Sequence, residues 1–245
     1  IKPTLCTVPY CPMPTNEQLS HLGPMTRTVS DAALMLGVMA GYDARDRFSQ
    51  PLGPQDYLTN LQAGIKGAKV FWSPTLGYAK VDPEVAAATE KAAKSFAELG
   101  AKVDDGDPGL GDPSDFFLVL YQGAMAGGLS QYLPEWESQM DPGLVHMVRR
   151  GMEYSAVEYI AARIARYEFC GKVQQFFESY DFLLTPAVAV PAFEVSRVAP
   201  DPNAIEAEDL FAWTPFSFPF NATGHPAASV PCGFTADGLP IGLQI

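Results

Sequence analysis

The side chains able to do acid–base, nucleophilic or metal chemistry are thinly spread through the 245 residues. Three histidines, His21, His146 and His225, are far apart, with no H-x-x-x-H or paired Cys/His spacing, so spacing alone offers no metal site. Four cysteines, Cys6, Cys11, Cys170 and Cys232, form no C-x-x-C pair and read as reduced thiols of a cytosolic protein; a Cys6–Cys11 disulfide is the lesser alternative. A Ser/His/Asp triad stays open, because its members are assembled by the fold rather than by chain order, but there is no G-x-S-x-G elbow to mark it. Neither Gly127-Gly128 nor the glycines from 106 to 111 follow a strand at phosphate-cradling spacing. The first pair reads instead as a helix-packing position or a helix break. Asp104, Asp105, Asp107, Asp112 and Asp115 lack both the EF-hand order and a closing Glu, so they read as a solvated acidic turn. Asn221-Ala-Thr223 is a glycosylation sequon set among aromatic residues expected to be buried, and it is assigned to structure.

Composition narrows the partners. A 47% hydrophobic chain of this length can bury a sizeable core. A net charge of −12 without a Lys/Arg cluster excludes direct nucleic-acid binding and docking on an anionic membrane. No run is long enough to span a bilayer and no basic segment precedes an apolar one, so the expected location is cytoplasmic. The chain opens on Ile1-Lys-Pro-Thr4 and closes on the apolar run Pro240-Ile-Gly-Leu-Gln-Ile245. Both ends read as the interior of a domain, against the alternative of short natural termini.

Helix and strand patterns alternate along the chain. Thr28-Val-Ser-Asp31 reads as a helix start in which Asp31 accepts from first-turn amides, with Ala32 to Met39 helical and Gly41 as the stop. Lys69-Val-Phe-Trp72 reads as a strand, and Asp82-Pro83 as the cap of a helix burying Val85, Ala88, Ala92, Phe96 and Leu99. A second strand at Ala101-Lys-Val103 completes a strand–helix–strand unit. Ser114 is expected to cap a helix running to about Tyr132, and a longer helix from after Tyr154 to about Ser179 is expected to bury Val157, Ile160, Ile164, Tyr167 and Phe177. Its other face, with Glu158, Arg163, Arg166 and Lys172, reads as solvated. Phe182-Leu-Leu-Thr-Pro186 reads as a buried strand, residues 186 to 208 as a long, partly disordered surface loop, and Ala227 to Pro231 with Pro240 to Ile245 as two strands joined at Ala236-Asp-Gly-Leu239. No linker, repeat or low-complexity tract divides this order, so it is one domain of α/β class.

Four blocks go further than spacing: Ile1-Lys-Pro-Thr4; Gly23-Pro-Met-Thr-Arg-Thr-Val29 leading to Asp31-Ala-Ala33; Asp181-Phe-Leu-Leu-Thr-Pro186; and Pro219-Phe-Asn-Ala-Thr-Gly-His-Pro-Ala-Ala-Ser-Val-Pro231 followed by Gly238-Leu-Pro-Ile-Gly-Leu-Gln244. In that order they resemble the amidase signature family. The resemblance implies an α/β/α sandwich around a large mixed sheet, with residues 1–245 the C-terminal part of one such domain, truncated at both ends. It also implies amide-bond hydrolysis through an acyl-enzyme, by a Ser/cis-Ser/Lys triad and a Gly-rich oxyanion loop that lie before the position matching Ile1.

No catalytic residue is therefore carried onto this chain, and Lys2 is not the catalytic lysine. What the resemblance leaves here is a substrate border: Trp213, Thr214, Phe216, Phe220 and Asn221 as an aromatic wall suited to a bulky acyl or aryl group, with Met25 and Thr26 near the active-site floor. His225 is expected to be a buried, hydrogen-bonded structural histidine, and Arg27 to pair with Asp31 or backbone carbonyls. No cofactor and no metal are implied. The partner is a small-molecule amide, and a homo-oligomer is allowed. Two other readings remain: the amidase-like subunit of a tRNA-dependent amidotransferase, and a non-catalytic binding protein that keeps the fold.

Overall fold

A computed structural model describes residues 1–49, 56–205 and 209–245. Five strands, β1 (Lys69–Trp72), β2 (Lys102–Asp105), β3 (Phe182–Pro186), β4 (Ser229–Phe234) and β5 (Pro240–Gln244), form one sheet in the order β2-β1-β3-β5-β4. The first three run parallel; β5 is antiparallel to both β3 and β4, so the sheet is mixed. The helices are α1 (Val29–Met39), α2 (Pro83–Glu98), α3 (Ser114–Leu129), α4 (Leu133–Trp136), α5 (Pro142–Gly151), α6 (Ala156–Phe177) and α7 (Phe218–Thr223).

Alternation along the strands sorts the core onto two faces. Val70, Trp72, Leu184 and Leu243 point to one side and pack with Ala93 of α2. Phe71 and Leu183 point to the other, where α3, α6 and α7 supply Phe117, Leu120, Phe169, Val173 and Phe220. Helices on both faces of a mixed sheet give the expected α/β/α layering. The unit β1-α2-β2 is in place, with Val70 opposite Val103 in parallel register. Asp82 caps α2 by accepting from the amides of Glu84 and Val85, and Gly238 takes φ +81° in the turn between β4 and β5.

Several local expectations change. The cap of α1 is Thr28, whose hydroxyl accepts from the Asp31 amide, so Asp31 donates where it was expected to accept. In α2 the fully buried positions are Val85, Thr89 and Ala93, while Leu99 ends the helix exposed. Thr89 is tolerated there because its hydroxyl donates back to the Val85 carbonyl at 2.7 Å. At α3 the amide and hydroxyl of Ser114 both turn to Asp112.

The largest change is in α6, which presents Ala162, Phe169 and Val173 to the core and leaves Val157, Ile160, Ile164 and Tyr167 outside. Both stripes have helical spacing, and periodicity cannot say which one the sheet selects. Arg166 lies on the half-buried side, donating from Nε to the Ala222 carbonyl at 2.6 Å. Among its described residues the segment following β3 has no regular element before α7; it runs over the surface, with 194–197 and 201–203 exposed, and is anchored by the buried Ala189, Ala199 and Ala204. Positions 206–208, the end of the expected loop, lie outside the described residues.

Candidate functional site

In an open sheet with parallel strands, ligands collect beyond the carboxyl ends of those strands. After β1 the chain turns through Ser73 to Tyr78, and after β3 through Ala187 to Val190. The aromatic segment 211–218 is pinned across both. The Tyr78 hydroxyl donates to the Pro215 carbonyl at 2.8 Å, the Ala189 amide donates to the Trp213 carbonyl at 3.0 Å, and Gln244 Nε2 at the end of β5 donates to Thr185 Oγ1 and to the Phe216 carbonyl.

This arrangement opens a groove of about 330 Å³ between the segment and helices α3 and α5, lined by Tyr121, Asp141, Met147, Arg197, Phe211, Trp213 and Thr214 among others. Phe211 stands edge-on to Tyr121, with ring centroids 5.3 Å apart, and to Phe117 at 5.9 Å. Trp213 meets Phe193 edge-on at 5.3 Å. Edge-to-face rings held at both ends make a stiff apolar wall. The polar groups at its rim are engaged already: Asp141 accepts from the Leu144 amide, Arg197 pairs with Glu194, and the Thr214 hydroxyl donates to the Phe211 carbonyl. Burial raises the Tyr121 phenol above its ordinary value, so it stays protonated. The groove can seat a flat apolar group, but its lining pairs no nucleophile with a base.

The seven sequence candidates divide. Trp213 and Thr214 meet in this groove. Phe216 is fully buried core, and Phe220 lines a different cavity, of about 390 Å³, with Phe177, His225 and the ends of β3 and β5. Asn221 donates to the Leu19 carbonyl at 2.9 Å. Met25 and Thr26 are exposed before α1, where the Thr26 hydroxyl donates to the Thr28 carbonyl. Sequence reading missed Tyr121 on α3, and Asp141 and Met147, which cap and lie on a helix, α5, that it did not delimit. Asp141-Pro142, the same cap-and-proline pair that marked α2, is the signal that would have found α5.

Lys2 has a positioning role. Its backbone bridges Ala227 in both directions, and its ammonium donates to the Phe220 carbonyl at 3.1 Å and to the His225 carbonyl. With Arg166 on the Ala222 carbonyl, two cations satisfy the carboxyl end of α7. Burial lowers Lys2 to about 8. His225 stacks on Phe177 with centroids 5.1 Å apart, and its Nδ1 is buried with no hydrogen-bond partner among the described residues. Burial, then the Lys2 charge, lowers its pKa. Arg27 makes no ion pair with Asp31 among the described residues. Cys6 and Cys11 are free thiols.

Known proteins match this chain over almost its whole length. The amidase family model matches residues 1–245. An acylamidase of Rhodococcus erythropolis is 36% identical over 253 residues, covering 100% of this chain and 52% of the relative. A glutamyl-tRNA(Gln) amidotransferase subunit from Myxococcus xanthus is 31% identical, covering 94% of this chain and 51% of the relative. The crystal structure of a bacterial aryl acylamidase of the amidase signature family superposes with a TM-score of 0.83 at 26% identity, covering 99% of this chain and 53% of that one. The chain thus spans about half the length of the curated relatives it matches.

Proposed function

We propose that this chain, which belongs to the amidase signature family, is the C-terminal part of an amide-bond hydrolase. The observation that carries the reading is the acylamidase likeness across the whole chain, at 36% identity. In this reading the Ser/cis-Ser/Lys triad is contributed by sequence preceding residue 1, and the carboxamide passes through an acyl-enzyme to carboxylate and amine. Residues 1–245 contribute the wall of the cleft. Tyr121, Phe211 and Trp213 take the acyl or aryl group, and because their packing is fixed before substrate arrives, little ordering remains to be done on binding. Membership in an amidotransferase, the second reading, has the weaker likeness, at 31% identity.

The test uses the full-length protein containing residues 1–245, assayed on aryl amides and on short aliphatic amides. Trp213→Ala is expected to raise KM about tenfold for aryl amides, ~1.4 kcal/mol of binding, and to leave short aliphatic amides nearly unchanged. Residues 1–245 expressed alone are expected to turn over neither. Turnover by this piece alone, abolished by replacing one of its own serines or histidines, would sink the reading. Glutamine dependence together with co-purifying subunits would move the protein to the amidotransferase.

A further inference from the structure

Helix α6 is apolar on two sides. Its inner side enters the core through Ala162, Phe169 and Val173. Its outer side carries Val157 at 79% exposure, Ile160 at 49%, Ile164 at 58% and Tyr167 at 80%. Apolar residues scattered singly on a surface need no explanation, but four in one helical stripe do. The spacing 157, 160, 164, 167 is a heptad a-d-a-d run, with β-branched Val157 and Ile164 at a.

The flanks fit the same pattern. Arg163 occupies the g position before Ile164, and Glu168 the e position after Tyr167. On one helix, residues five apart are not neighbours, and neither side chain joins an ion pair among the described residues. Between two parallel helices in register, g of one lies beside e five residues on in the other. Arg163 then meets Glu168 of the second copy, and the symmetry makes the pair twice. An antiparallel pairing about the middle of this stripe brings the two Arg163 side chains together instead.

We propose that the outer stripe of α6 is a self-association surface on which a second copy of this chain packs its own α6, parallel and in register. Two heptads make a short seam, so the expected affinity is on the order of micromolar, below that of standard-size interfaces.

The full-length protein is followed by sedimentation velocity over about 1 to 100 µM, a range that brackets such affinities. The wild type is expected to move from monomer to dimer across the range. Arg163→Glu and Glu168→Arg each place like charges at both g–e contacts and are expected to give monomer throughout, while the double exchange R163E/E168R restores the dimer. Both positions are exposed, and circular dichroism checks that each variant is folded. Orientation is read separately: Val157→Cys, with the exposed Cys11 replaced by serine, is expected to cross-link to itself under mild oxidation, because a positions face each other only in the parallel arrangement. A mass indifferent to either single exchange, a double exchange that fails to restore the dimer, or a cysteine variant that stays uncross-linked while dimeric would overturn the proposal.

Discussion

At the scale of single residues, the clearest tests lie around the Ile1-Lys-Pro-Thr4 block. Lys2 was legible as part of that block but not as the donor that ends α7, since the carbonyls it serves lie over two hundred positions away. Replacing it with methionine keeps the stem, strands the His225 carbonyl and leaves the Phe220 carbonyl only the Gly224 amide, an expected loss of roughly 1–3 kcal/mol in urea unfolding. His21 makes a pH prediction. His21 is largely buried, and burial, then the Lys2 charge, pushes it down from 6.5 to about 4, outweighing the Leu19 backbone, which favours the charged ring. Between those values the unfolded chain takes a proton that the folded chain refuses, so stability is lost as pH falls through the window. Wild type and His21→Leu, compared by urea midpoint at steps from pH 7 to 4, should therefore differ in slope, with the variant flatter. Parallel slopes would count against a neutral, buried His21.

At the scale of elements, what was readable depended on whether the signal was local. Lys69–Trp72, Phe182–Pro186 and the Asp82-Pro83 helix start are set by branched and aromatic runs and by a cap, and they stand where expected. The orientation of α6 is set by which of two apolar stripes the sheet accepts, and nothing within the helix decides that. The same holds for the candidate groove: Trp213 was legible within an aromatic run, whereas Tyr121 joins it only because α3 packs across the loop after β3. The contact between α3 and α5 gives a pair of glycine tests. A Cβ at Gly151 would lie 2.0 Å from the Gln122 carbonyl oxygen, whereas one at Gly127 meets nothing within 4 Å. Gly151→Ala is expected to cost roughly 3 kcal/mol by forcing the helices apart. Gly127→Ala should stabilise by about 0.5–1 kcal/mol through lost backbone entropy. Equal effects would mean that α5 is not seated on α3 as described.

At the scale of the whole molecule, exposed apolar surface and charge oppose each other. Val29, Leu34, Met35 and Val38 of α1 are exposed, as is Phe182 at the start of β3 beside the 390 Å³ cavity. Relatives of about twice this length have as much chain again with which to cover such faces, and in the proposed reading the preceding sequence packs there. The net charge of −12 repels copies of the chain at low salt, and the repulsion is screened as the Debye length falls to about 10 Å at 0.1 M. Residues 1–245 expressed alone should therefore bind a hydrophobic-surface dye more strongly per mole than the longer protein. They should also scatter more light as salt is raised from about 10 mM to about 300 mM, a span over which screening removes most of the repulsion. Arg163→Glu serves as the control, because it removes α6 pairing while leaving α1 bare. If that variant of the short piece stays clear at high salt, the association belongs to α6 alone, and the α1 face is not the surface that the rest of the chain covers.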